Sequence, residues 1–315
     1  MNIPLFDAHC DTAFQMVLKG YGLFENTGHT DLRRGLKYSP YAQFFALFAM
    51  DEAEMPKRFP HISGIKVGDL FELELKTLLF EFENLRDCIT LCKTARDAQN
   101  AAASGRAAAF LSIEGAELIG CKIDKLYEMK SCGVSSLTLS WNKPNALVSD
   151  TGLTALGREF VRCCNELSIL IDVSHLGEKA FWDVMDLTAS PVIASHSNSR
   201  ALCEHSRNLT DEQFRAICEL GGVAGINLYT EFLGENPTVD TVISHIEHFL
   251  SLGGERNIAI GTDFDGCDSL PEGISGIEDI EAVYNELLRR DYPLDLVNGI
   301  FYDNLMRVVG EVCVT

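Results

Sequence analysis

Short apolar runs of strand length alternate along most of the chain with longer segments of helical period. The apolar runs fall near 3–8, 41–49, 107–113, 134–140, 168–174, 191–195, 223–228 and 257–262. The helical patterns fall near 69–84, 123–131, 155–167, 177–187, 211–220, 238–252, 277–290 and 293–311. Helix boundaries carry their own signals: Thr210-Asp211-Glu212-Gln213 opens one helix as a capping box, and Gly221-Gly222 stops it after Leu220. Eight such strands alternating with helices predict an α/β fold of the (β/α)8 TIM-barrel type. The stretch from about 20 to 68 mixes Gly, Pro and charged residues around one apolar run and reads as an irregular insertion. With no repeat of fixed period and no break in composition, a single barrel domain over 1–315 is expected.

Composition narrows the function classes. A chain of 315 residues with 46% hydrophobic content can bury a large core. Its net charge of −20 argues against nucleic acid and anionic membranes as partners, since both need a basic surface. The 11 cysteines are odd in number and include no CxxC pair, which argues against a disulfide framework and a structural zinc knuckle. Met1-Asn2-Ile3-Pro4 opens without a basic region and long apolar core, and no apolar stretch reaches bilayer length, so a cytoplasmic location is expected.

The candidate chemistry sits where the apolar runs end. His9-Cys10-Asp11 closes the first run. Side chains alternate along a strand, so His9 and Asp11 share a side while Cys10 faces away. Four other runs end on residues of metal-ligand type: 108–113 runs into Glu114, 169–174 into His175, 192–195 into His196, and 258–262 into Asp263. The C-terminal strand ends of a barrel converge on one mouth, so these residues are expected to meet there and hold metal. His245 and His248 lie three apart in a helical pattern without an HExxH motif, and a solvated helix face is expected for them. His29, His61 and His205 fall in loops or helix ends. There is no Gly-x-Ser-x-Gly elbow and no glycine-rich phosphate loop.

Asp7-Ala8-His9-Cys10-Asp11, Ile113-Glu114-Gly115, Asp172-Val173-Ser174-His175, Ala194-Ser195-His196-Ser197, Ser206-Arg207-Asn208 and Gly261-Thr262-Asp263-Phe264-Asp265-Gly266 follow one another in order along nearly the whole chain. Together they resemble the renal (membrane) dipeptidase family of binuclear zinc peptidases. The resemblance implies a metal-dependent barrel hydrolase with two Zn2+ per chain, His9 and Asp11 on one ion, His175 and His196 on the other, and Glu114 bridging. A hydroxide shared by the two ions would be the nucleophile, and Asp263 would take its proton and return it to the leaving amine. Asp265, two residues on, would at most support that site. Arg207 would hold the terminal carboxylate of a small dipeptide, with Asn208 beside it in the substrate site. The resemblance also raises a homodimer.

One position departs from the family pattern. Where the family carries a His in a Thr-His-Asn context after the fourth strand, this chain has Ser140-Trp141-Asn142. Indole offers one N–H donor and a large apolar face, so Trp141 is expected either to wall the substrate site or to pack in the core. The change leaves open an amidohydrolase acting on another small amide, a lactone or an N-acyl amino acid. It also leaves open a metal-binding barrel without turnover.

Overall fold

In the computed structural model, residues 2–50, 57 and 65–314 are described. Most of 51–64, part of the expected insertion, lies outside them. Among the described residues eleven strands alternate with helices: β1 (Leu5–Cys10), β2 (Tyr41–Phe48), β3 (Ile89–Leu91), β4 (Ala107–Glu114), β5 (Val134–Thr138), β6 (Val148–Ser149), β7 (Gly152–Leu153), β8 (Leu170–Asp172), β9 (Ile193–Ala194), β10 (Val223–Ile226) and β11 (Ile258–Ile260). β1, β2, β4, β5 and β8 to β11 pair in parallel in the order β2-β1-β11-β10-β9-β8-β5-β4, and β4 pairs back onto β2. This closes a parallel barrel of eight strands, as the alternation predicts. β3 lies along the first residues of β4 on the edge that β5 then takes over, while β6 and β7 form a small separate hairpin.

Alternation along the strands sorts the apolar side chains into two clusters. Phe6, Ala42, Phe44, Ala108 and Phe110 join Leu170, Ile193, Val223 and Ala259 in one, together with one face of the C-terminal helix Asn304–Val312. The rings of Phe6, Phe44 and Phe110 stack there at 5.2–5.6 Å between centroids. Residues between these on the same strands, such as Phe45, Leu111, Ile171 and Ile258, pack with the surrounding helices in the larger cluster. Two glycines leave room for the backbone after β9: a Cβ on Gly225 in β10 or on Gly261 after β11 would fall 1.9 or 1.8 Å from the Ser195 carbonyl oxygen.

Three expectations differ from the structure. The strands near 168–174, 191–195 and 257–262 end early, at Asp172, Ala194 and Ile260, because the backbone leaves the ladder to aim the residues that follow. The helix expected over 293–311 runs as Leu294–Asn298 and Asn304–Val312 joined by a π-helical segment at Gly299–Asp303, where Ile300 and Phe301 are buried. Helices at Thr12–Lys19 and Ala95–Ala103 were not expected. Among the described residues no helix is long and apolar enough to cross a membrane.

Candidate active site

The mouth at the C-terminal strand ends gathers the residues singled out above. His9 precedes the last residue of β1, Asp11 follows that strand, and Glu114 ends β4. His175 stands three residues beyond β8, His196 two beyond β9, and Asp263 three beyond β11. His175, Asp263 and Asp265 have φ of +67°, +61° and +67°, a backbone region that side-chain-bearing residues rarely adopt. Gly266 makes room for them, because a Cβ there would lie 2.0 Å from Asp11 Oδ2 and 2.6 Å from Asp263 Oδ1.

Glu114 is the hub. Its Oε2 lies 3.5 Å from His9 Nε2, while Oε1 lies 2.7 Å from His175 Nε2 and 3.6 Å from His196 Nε2. His9 Nε2 is also 3.4 Å from Asp11 Oδ2. Two overlapping groups have ligand atoms close enough to share an ion, His9 with Glu114 and His196, and His9 with Asp11 and Asp263.

Hydrogen bonds behind the rings fix which nitrogens carry protons. Ser195 Oγ bonds Asp172 Oδ2, so its hydrogen is engaged and it accepts from His196 Nδ1–H at 2.6 Å. His175 Nδ1–H donates to Asn142 Oδ1 at 2.8 Å. Both Nε2 atoms are therefore left with lone pairs, and burial, ahead of the nearby positive groups, keeps both rings neutral by lowering their pKa well below 6.5. Yet the two Nε2 atoms are 2.7 Å apart, with a Glu114 oxygen at the same distance from one of them. Acceptors crowded this closely are the environment a cation relieves, and His9 Nε2 and Asp11 Oδ1 add buried polar atoms without partners among the described residues. The residues present thus fit a metal centre.

Burial also pushes the Glu114 carboxyl up to about 8 and that of Asp263 up to about 6, with His9 opposing both. Burial opposes charge on His9 too, but Glu114 and Asp11 outweigh it and raise that ring well above 6.5. Asn227 Nδ2 donates to Asp263 Oδ2 at 2.9 Å.

Arg207 is half-buried, and desolvation lowers its pKa against the pull of Asp263 and Glu114. Its Nη2 donates to His175 Nε2 at 3.1 Å and to the His196 carbonyl at 3.4 Å, while its buried Nε has no partner among the described residues. A cavity of about 610 Å3 opens over these groups, lined also by Trp141, Tyr229 and Phe232.

The chain matches the membrane dipeptidase family (Peptidase family M19) over residues 1–314. It belongs to that family. A metallo peptidase from Rhodobacter sphaeroides, solved with a phosphinate mimic of the dipeptide L-Ala-D-Ala, superposes with a TM-score of 0.88 at 27% identity, covering 99% of this chain and 100% of that one. The dipeptidase AC, another metallo peptidase of the same family, gives 0.86 at 28% identity and 99% of each chain. An uncharacterized protein encoded in the pqqA 5' region of Klebsiella pneumoniae is 34% identical over 242 residues, 71% of this chain and 89% of its own length. As a family member the chain is a metallopeptidase, a hydrolase built on a metal-dependent barrel.

Around this centre the remaining candidates fall in different places. Trp141 is partly buried at the cavity wall between the rings of Phe48 and His175, at 5.0 and 5.9 Å. Asn208 is buried away from the cavity: its Nδ2 donates to the carbonyls of Cys203 and Phe232, and its Oδ1 accepts from the Asn198 N–H, so it braces the loop that carries Arg207. His245 corrects the expectation of a solvated face. It is fully buried, with Nδ1 accepting from the Ser199 N–H and Nε2 donating to the Leu233 carbonyl, both at 3.1 Å. Val242, Ile246 and Phe249 share its side of the helix at the same spacing, and that stripe was the signal to read. The sequence pattern also missed Asn142, Asp172 and Ser195, which orient the two rings, and His29, which lines the cavity.

Proposed function

We propose that this family member is a zinc-dependent dipeptidase that hydrolyses the peptide bond of small dipeptides, with His9 and Asp11 holding one ion, His175 and His196 a second, and Glu114 bridging them. The observation that carries this reading is the split of the Glu114 carboxylate, with Oε2 toward His9 and Oε1 toward His175 and His196. Bound there, a pair of divalent ions supplies an acidified water and polarises the scissile carbonyl.

The chain's own residues supply the rest. Asn227 occupies Asp263 Oδ2, so Oδ1 is the oxygen that takes the proton of the attacking water and returns it to the leaving amine. A carboxyl shifted toward neutrality by burial suits both halves of that exchange. The half-buried guanidinium of Arg207, whose Nε–H has no partner among the described residues, is a socket for the free carboxylate of a dipeptide. Phe232 lies 5.5 Å beneath it and helps hold it in place. A longer peptide would put an amide where that charge belongs. Trp141 presents an apolar wall in place of the imidazole seen in the family pattern, and this favours as a second reading an N-acyl amino acid or another small amide.

A hydrolysis panel of L,L and L,D dipeptides and N-acyl amino acids, run on native and chelated protein, tests the reading. Dipeptide cleavage that disappears on chelation and returns with zinc is expected. Cleavage confined to the other amides moves the assignment to the second reading, and a metal-loaded protein that cleaves nothing overturns both.

A further inference from the structure

The cavity extends beyond the metal-ligand cluster along the β1 side of the barrel, to Gln15, Lys19, Gly28, His29, Asp265 and Asp268. The backbone of Asp265, in a left-handed conformation, organises this wall. Its N–H donates to His29 Nδ1 at 3.0 Å, and its carbonyl accepts from Gln15 Nε2 at 2.8 Å. Its carboxylate is spent on the Thr12 hydroxyl and the His29 N–H, each at 2.7 Å. A ring nitrogen that accepts from a backbone N–H carries no hydrogen, so the proton of His29 resides on Nε2. Among the described residues no hydrogen bond engages Nε2, and it is not among the buried atoms without partners. His29 therefore offers the cavity an N–H donor of fixed orientation.

The donor is held rigidly. Arg34 grips the Gly28 carbonyl at 2.7 Å while pairing with Glu278 at 2.8 Å, and a Cβ on Gly28 would fall 2.5 Å from Asp265 Oδ1. The charges that bear most on His29 are those of Asp265, Lys19, Arg34 and Asp268, and the ring lines the cavity beside Asp265 and Asp268. Around the closed barrel the order β1, β11, β10, β9, β8, β5, β4, β2 sets β8 diametrically across from β1. Arg207, on the loop after β9 and in contact with His175 after β8 and with the His196 carbonyl, thus stands on the far side of the mouth from His29.

We propose that the β1 side of the cavity is the subsite for the side chain of the substrate's N-terminal residue, with His29 Nε2–H as its specificity-determining donor. This rests on the dipeptidase reading, since a terminal carboxylate on Arg207 directs the N-terminal residue toward β1. The subsite selects side chains that carry a hydrogen-bond acceptor over apolar ones of equal size, because an apolar group would leave the donor unpaired.

Asparaginyl-alanine and leucyl-alanine are near-isosteric probes. The wild-type protein, loaded with zinc, is expected to favour the first by about tenfold or more in kcat/KM. In His29→Asn, the amide oxygen replaces Nδ1 as acceptor for the Asp265 N–H while the cavity donor is lost, and the ratio should fall to near one at unchanged metal content. Should that variant fail to fold, His29→Gln, which keeps an amide N–H at similar reach, should hold the ratio within about threefold of wild type. A wild-type ratio near one, or a ratio that His29→Asn leaves intact, overturns the subsite while dipeptide cleavage itself stands. Cleavage of neither probe, or of any dipeptide, overturns the dipeptidase reading and the subsite with it.

Discussion

Replacing Arg207 by Lys keeps a positive charge at the cavity wall but removes the planar fork. In the structure that fork reaches the His196 carbonyl through Nη2, and its Nε–H is buried without a partner among the described residues; the His175 Nε2 lone pair that Nη2 also meets is the one an ion would take. An ammonium on a flexible stem cannot hold the carbonyl and present two parallel N–H groups to a substrate carboxylate at once. At least one charge-assisted hydrogen bond to the substrate is lost, worth about 1.5–3 kcal/mol, which corresponds to roughly 10- to 150-fold in kcat/KM. The assay compares a dipeptide with its C-terminal amide, in wild type and variant, by following release of the N-terminal amino acid. Wild type should prefer the free acid, and the preference should shrink in Arg207→Lys by the factor above. An equal loss on both substrates would refute the reasoning, because it would mean that Arg207 acts only by holding His175 and the His196 backbone.

Other consequences can be checked independently. Asp263→Asn should lower kcat by about 10²- to 10⁴-fold with metal content retained; a loss under about tenfold would remove Asp263 from proton transfer. Gly266→Ala, whose Cβ would meet Asp11 Oδ2 at 2.0 Å, should weaken metal binding by about 10- to 100-fold in a competition titration, and unchanged affinity would show that Asp11 is not a ligand. Burial lowers the pKa of His245 below 6.5, so the unfolded chain takes up its proton first and the stability His245 contributes is present above pH 6.5 and lost as pH falls below it. His245→Leu leaves the Ser199 N–H and the Leu233 carbonyl unpaired at a cost of about 1–3 kcal/mol at pH 7.5. The deficit should narrow by pH 5 in thermal melts, and a constant deficit would contradict a buried neutral ring.

Much of this architecture is legible in the chain because the barrel is made by regular alternation. Apolar runs such as Ala107–Glu114 declare strands, and the capping box at Thr210 marks the helix Asp211–Glu219. The candidate ligands were readable for the same reason, since each follows the end of an apolar run. What escaped lacks periodicity. Helix Ala95–Ala103 is an alanine-rich stretch with no broad apolar stripe, announced only by the Thr94–Asp97 capping box, and Thr12–Lys19 is short and directly continues β1. Residues that act through tertiary hydrogen bonds leave no local trace: His29 meets Asp265 across 236 positions, and Asn142 meets His175 across 33. Asn208 illustrates the reverse case, where adjacency to Arg207 in sequence suggests a substrate contact but its side chain is committed to loop carbonyls.

The most direct test of a two-ion site bridged by Glu114 is the metal content of zinc-reconstituted protein, wild type against Glu114→Ala, measured by mass spectrometry after desalting. The account predicts about two zinc ions per wild-type chain, with one or both lost and hydrolysis abolished in the variant. A single ion in the active wild type, or two ions retained and activity preserved without Glu114, would contradict it.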